Sequence, residues 1–133
     1  MIAIDTSALV AIIFEEPERA AFLAELDKTD VALISTVSVL ETRMVVYGRR
    51  GHRAVVHLDA LLLLPIFQQV APSAAETDVA YAAFVAFGKG SGHPAALNFG
   101  DVFSYALAKV RGLPLLYKGS DFAHTDIVAA YVA

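Results

Sequence analysis

Residues 2–12 read IAIDTSALVAI, and the fold class turns on this stretch. Ile2 to Ile4 form a short apolar strand, Asp5 ends it, and Thr6 and Ser7 are residue types that cap a helix, here one reaching Phe14. Pro17 suits the first turn of a second helix ending at about Asp27. Val31 to Ile34 is again a short apolar run, read as a buried strand, and a helical pattern follows from about Thr36 to Tyr47, stopping near Gly48. A further helix from about His52 to Leu64 ends at Pro65, and Ile66 to Val70 is strand-like. Ser73 and Glu76 have capping-box spacing and open an alanine-rich helix that runs out at Gly88. Beyond a loop with Gly90, Gly92 and Pro94, Asn98 can cap a helix ending near Gly112, and Leu115 to Tyr117 and Ile127 to Ala130 are the last two strands.

Short apolar runs that alternate with helices, and not with tight hairpins, imply an α/β fold with a mostly parallel, roughly five-stranded sheet covered on both faces. In such a sheet the functional crevice lies beyond the carboxyl ends of the strands, where loops enter the following helices.

Composition narrows the function classes. A chain of 133 residues without a linker-like stretch is expected to form one domain, 1–133. Apolar residue types make up 57% of it, enough for a large core and for apolar surface that self-association would cover. No apolar run is long enough for a membrane span, and Asp5 stands where a signal peptide would be hydrophobic. With no cysteine there is neither a disulfide framework nor a thiolate metal site, and a cytoplasmic location fits. The net charge of −4 has the wrong sign for holding nucleic acid by an overall field, so any grip on RNA must be local. Candidates are Arg43, Arg49, Arg50 and Arg53, with Lys89, Lys109, Arg111 and Lys118 later; a solvated helix face is the simpler account of the first cluster.

Four acids fall at or near strand ends or helix starts. Asp5 ends the first strand, Glu41 lies early in the helix after the second, Asp101 opens a later helix and Asp121 follows the fourth strand. Asp126 is a fifth. A parallel sheet can gather several of these at one edge, where their mutual repulsion needs a cation or a bound proton. Oxygen ligands without Cys and without closely spaced His favour Mg²⁺, with Mn²⁺ as substitute, and such an ion promotes attack of water on phosphorus. Each acid also has a structural role open to it. Ser38 with Glu41 and Asn98 with Asp101 have cap spacing, Asp5 precedes a helix and Asp121 lies in a Gly-Ser-Asp turn.

Three stretches decide between these readings: IAIDTSALVAI at the start, STVSVLETRMV around Glu41, and HPAALNFGDVFSYALAKVRGLPLLYKGSDFAHTDI from His93 to Ile127. Together they resemble the VapC-type toxins of the PIN-domain family, in motif order and over essentially the whole chain. The resemblance implies a three-layer α/β/α sandwich and a Mg²⁺-dependent endoribonuclease, the toxin of a type II toxin–antitoxin pair. By position, Asp5 and Asp101 match the principal metal ligands, Glu41 the third acid and Asp121 the fourth. Ser7 matches a hydroxyl residue beside the first Asp that binds a ligand or the scissile phosphate, and Asp126 a commonly acidic position without an assigned role. A VapB-type antitoxin is the implied partner, its C-terminal segment covering the cleft and presenting an arginine that competes with the metal. Homodimerisation is also implied.

Other signals carry less. Gly88, Gly90 and Gly92 lack the spacing and the preceding strand of a nucleotide loop. Lys89 and His93 could border an RNA path. His52 and His57 are wrongly spaced for a metal pair on one helix face. His124 reads as a surface residue, and Phe99, Phe103 and Tyr105 as helix packing. A phosphotransfer receiver would need an acidic pair at the first strand and a phosphoacceptor Asp after a middle strand, and Val70-Ala71-Pro72 offers none. A haloacid-dehalogenase-like phosphatase would need an acid where Ser7 stands. The non-enzymatic alternative is an interaction module whose acidic cleft binds a basic peptide.

Overall fold

The computed structural model describes residues 1–133. Four strands, β1 (Ile2–Ile4), β2 (Ala32–Ser35), β3 (Phe67–Val70) and β4 (Leu115–Leu116), form one sheet in the order β3-β2-β1-β4. Every pairing is parallel. Side chains alternate across a strand, and here both directions are apolar. Ile2, Ile4, Ala32, Ile34 and Leu116 face a core built with α1 (Thr6–Ile13), α2 (Arg19–Asp27), α3 (Thr36–Arg50) and α4 (His52–Leu62). Ala3, Leu33 and Leu115 face a second core built with α5 (Ala74–Phe87) and α6 (Phe99–Arg111). The result is the three-layer sandwich. Ile4, Leu9, Ile34, Leu58, Leu107, Leu115 and Leu116 are fully buried, and each such side chain contributes roughly 1.5–3 kcal/mol of apolar burial.

Several boundaries differ from the sequence reading for local reasons. Ile127 to Ala130 is not a fifth strand: it contributes a single bridge, Leu115 to Ala129. The hydroxyl of Thr125 accepts from the Ile127 N–H at 3.2 Å, so the chain is still turning where the strand was expected to begin. Helix α3 runs through Gly48 to Arg50 and stops at Gly51, whose φ of +76° an L-residue adopts only with strain. Helix α1 is capped by Asp5, not by Thr6 or Ser7, and α3 by Ser35, so Ser38 and Glu41 are not a cap pair.

The topology places the site. From β1 the chain builds β2 and β3 to one side, then crosses back to β4 on the other, so β1 sits where the winding reverses. The crevice expected beyond the carboxyl ends of β1 and β4 is where Asp5 emerges, its N–H donating to the Leu116 carbonyl at 2.9 Å.

Candidate active site

Asp5 is buried, and its carboxylate is fully engaged. As N-cap of α1 it accepts from the Ser7 N–H at 2.9 Å and the Ser7 hydroxyl at 2.7 Å on Oδ2. The Ser104 hydroxyl from α6 donates to Oδ1. A hydroxyl has one proton, and Ser104 spends its own on Asp5, so Ser38 must be the donor in its 3.3 Å contact with Ser104. Beneath it the Thr42 hydroxyl donates to the Ser38 carbonyl at 2.6 Å, and the Thr6 hydroxyl to the same carbonyl at 3.2 Å. These buried hydroxyls tie α1, α3 and α6 to one carboxylate.

Glu41 lies in the second turn of α3, half-buried, and its seat depends on Gly100. A Cβ at Gly100 would overlap the Glu41 carboxylate, so only glycine leaves room for it. Asp101 is fixed by a reciprocal capping box at the start of α6: its N–H donates to Asn98 Oδ1 at 2.9 Å, and the Asn98 N–H donates back to Asp101 Oδ2 at 3.0 Å. The Asn98 to Asp101 cap spacing is therefore realised, and it aims the acid as well as starting the helix.

Asp5, Glu41 and Asp101 line one cleft of about 430 Å³, with Ser7, Asn98, Glu16, Arg49 and Lys118 among its other walls. Burial, opposed by the Thr6 hydroxyl and reinforced by the charge of Asp5, raises the Glu41 carboxyl above its ordinary value. Burial pushes Asp101 up to about 7; the Asn98 backbone hydrogen bond works against this, and the charges of Asp5, Asp121 and Glu41 add to it. The carboxylates share the cleft without closing into a ready-made three-ligand cage, and no such group of His or acidic side chains occurs elsewhere in the chain. The donor set still fits a hard divalent ion: it is all oxygen, none of the three acids is paired with a cation, and Mg²⁺ keeps several of its own waters instead of demanding a full protein cage.

The other expected site residues are placed differently. Ser7 lines the cleft, and its hydroxyl is already employed, donating to Asp5 and accepting from the Lys118 N–H at 3.0 Å, which pins the end of β4 to the start of α1. Asp121 is exposed, outside the lining, before a single 3-10 turn (Phe122–His124) that its side chain does not cap; it is near enough for its charge to act on Asp101. Asp126 belongs to a separate cluster, accepting from the Tyr105 hydroxyl and from Lys109 Nζ, each at 2.6 Å. His93 accepts from the Ala95 N–H through Nδ1 and packs edge-on against Phe87, while His124 is exposed. Sequence reasoning missed Ser104, Ser38, Thr6, Thr42 and Gly100 as supports of the acids. The available signal was Ser104 one helical turn after Asp101, a polar residue on an otherwise apolar face.

Comparisons with known proteins identify the family and the fold. The PIN domain family model matches residues 2–128. Ribonuclease VapC30 of Mycobacterium tuberculosis is 48% identical over 124 residues, covering 93% of this chain and 94% of that protein. Ribonuclease VapC of Mycolicibacterium smegmatis is 44% identical over 128 residues, covering 96% and 98%. Among solved structures, Mycobacterium tuberculosis VapC20, described as a sarcin–ricin loop cleaving toxin, superposes with a TM-score of 0.79 at 21% identity, over 96% of this chain and 97% of that one. The toxin–antitoxin complex VapBC2 from Rickettsia felis, bound to a DNA fragment from its promoter, gives a TM-score of 0.75 at 18% identity, over 97% and 96%.

Proposed function

The chain belongs to the VapC-type toxin ribonucleases of the PIN-domain family, and from that premise we propose that it is a Mg²⁺-dependent endoribonuclease, with Mn²⁺ able to substitute, held in check by a VapB-type antitoxin. The observation that carries the reading is the single cleft at the carboxyl end of the sheet into which β1, α3 and α6 deliver Asp5, Glu41 and Asp101. These three acids would hold the ion, with Asp121, outside the lining, contributing charge. Bound there, a divalent ion supplies a counter-charge for the carboxylates and for the phosphate, and activates water toward phosphorus. The chain's own part is placement. Ser7 and Ser104 fix both oxygens of Asp5, the Asn98 capping box fixes Asp101, and the bare Cα of Gly100 lets Glu41 reach the same space. A phosphodiester is thereby met by fixed acids and spared their reorganisation during hydrolysis.

The same electrostatics support inhibition by a partner. A cationic side chain from an antitoxin segment laid over the cleft would neutralise the carboxylates that the metal needs, and the two would compete. Homodimerisation is supported by a continuous apolar surface shared by α3, α5 and the start of α6, where Leu40, Met44, Tyr81, Phe84 and Phe99 are all exposed.

The test is cleavage of RNA by the purified, antitoxin-free protein, read by sequencing the new RNA ends. Activity with Mg²⁺ or Mn²⁺ that disappears on chelation and returns on re-addition is expected. Undiminished cleavage under chelation would remove the metal from the proposal, and absence of any cleavage would leave the acidic cleft as a peptide-binding site.

A further inference from the structure

The acidic cleft has to receive a polyanion, and the chain as a whole is also negative, with a net charge of −4. Half of its ten basic side chains are held in ion pairs. Lys28 pairs with Glu25, Arg43 with Asp59, Lys109 with Asp126 and Arg111 with Glu76. Lys118, on the cleft wall, is held between Glu16 at 3.2 Å and Glu18 at 3.1 Å. The cations at the junction of α3 and α4 are different. Arg49, Arg50 and Arg53 are exposed and form neither an ion pair nor a side-chain hydrogen bond.

Two features make this cluster more than a solvated helix end. The guanidinium groups of Arg49 and Arg50 lie over the Phe14 ring, 5.1 Å and 4.9 Å from its centroid. Cation–π contact restrains a guanidinium without using up its N–H donors, so both groups are held in place with their hydrogen-bonding capacity intact. Arg49 also lines the cleft that contains Asp5, Glu41 and Asp101. The helix dipole explains Arg49 and Arg50 at the end of α3, but it disfavours Arg53, which sits in the first turn of α4 with no acidic residue beside it in that turn. An exposed cation in that field without a carboxylate partner is free to meet another anion.

We propose that Arg49, Arg50 and Arg53 form the track along which an RNA backbone enters the acidic cleft, with Arg49 taking a phosphate next to the scissile one. The proposal rests on the ribonuclease reading and adds to it where and by which side chains the substrate is held. Arginine suits the task because its planar fork can meet two phosphate oxygens at once and keeps its charge at any working pH.

Binding of a short fluorescein-labelled single-stranded RNA, followed by anisotropy over a salt series with the cleavage-impaired Asp101→Asn protein, separates gripping from chemistry. Arg49→Ala is expected to weaken binding about tenfold, the loss of one charge-assisted contact, and to reduce the slope of log affinity against log salt by about 0.7, one phosphate's share on a single strand. The double variant Arg50→Ala/Arg53→Ala should reduce the slope further. Arg43→Ala, on the same helix but paired with Asp59, should change neither quantity. In the cleavage-competent protein the Arg49 defect should fall on KM and not on kcat. Unchanged affinity and slope, or an equal loss from Arg43→Ala, would overturn the track. So would arginine variants that keep RNA and lose only the antitoxin, which would make this a protein-docking surface. A protein that binds RNA through these arginines and cleaves none would instead sink the ribonuclease reading alone.

Discussion

Helix α6 carries acidic partnerships at both ends, and they are opposite in kind. At its first turn Asp101 shares a cleft with Asp5 and Glu41, is partly withdrawn from water, has no cation bonded to it, and is pushed up to about 7. At its far end Tyr105 and Lys109 hold Asp126, and their hydrogen bonds keep that carboxyl below the ordinary range. Both acids come from the same short C-terminal half of the chain, and both look alike as letters. A carboxylate satisfied by a lysine and a tyrosine has finished its work in folding. One kept among other carboxylates retains an electrostatic deficit that a bound proton or a cation must fill.

The contrast breaks most directly by making the same substitution at each end. Asp101→Asn should lower single-turnover cleavage on the order of a thousandfold, the scale of losing one preorganised electrostatic group at a reacting centre, with the fold intact. Asp126→Asn should leave cleavage within about threefold and lower stability by about 1 kcal/mol, since the groups it releases are partly exposed and remain solvated. Equal losses of activity at the two positions would mean that Asp126 had been wrongly set apart.

A subtler break concerns the seat of Glu41. Gly100→Ala adds one methyl group where the carboxylate now lies. The end of a glutamate side chain can move aside cheaply, so the melting temperature should hold. Displacing a catalytic group by about an ångström costs about a hundredfold in rate, and that is the expected loss of cleavage. Full activity in a folded Gly100→Ala protein would show that Glu41 need not occupy this position.

How much of this could be read from the sequence depends on the range of the interaction involved. The α/β alternation was legible because it is local: Ile2, Ile4, Ala32 and Ile34 announce their strands, and both strand faces are apolar because helices cover both. The Asn98 capping box was legible for the same reason. Position in the sheet was not. Ile127 to Ala130 has strand composition, yet its entry is bent by the Thr125 turn and anchored through Asp126, so only one bridge forms. Gly48 looked like a helix stop, but a glycine inside a helix costs only about 1 kcal/mol, and beyond it Arg49 and Arg50 make contacts with Phe14 from the same helix. Gly100 was invisible as a functional support because its role is defined by Glu41, far away in the chain, and Ser104 showed only as a polar residue on an apolar helix face, its partner Asp5 being equally distant. Asp121 and Asp126 stand five positions apart, and spacing could not tell which one the fold would bring close enough for its charge to act on Asp101.

The smallest effect is thermal, and it tests the comparison without any substrate. The Asp101 carboxyl titrates at about 7 in the folded chain against 3.8 for its ordinary value. Between those values the folded protein binds a proton that the unfolded chain has released, so the contribution of Asp101 to stability falls as pH rises from about 4 to about 7 and is level above that. Asp126 runs the other way: its lowered folded value gives stability that is present above the ordinary aspartate value and is lost as pH falls through the folded one. The metal-free protein should therefore melt a few degrees lower at about pH 8 than at about pH 5, and Asp101→Asn should flatten that slope. Asp126→Asn should preserve the slope and weaken the protein equally across it, the loss shrinking only below about pH 4. Because protons and a divalent ion compete for the same carboxylates, added Mg²⁺ should raise the melting temperature more at the higher pH in the wild type and hardly at all in Asp101→Asn. An Asp101→Asn protein with the wild-type pH slope and the wild-type response to Mg²⁺ would place the electrostatic deficit elsewhere and erase the difference between the two ends of α6.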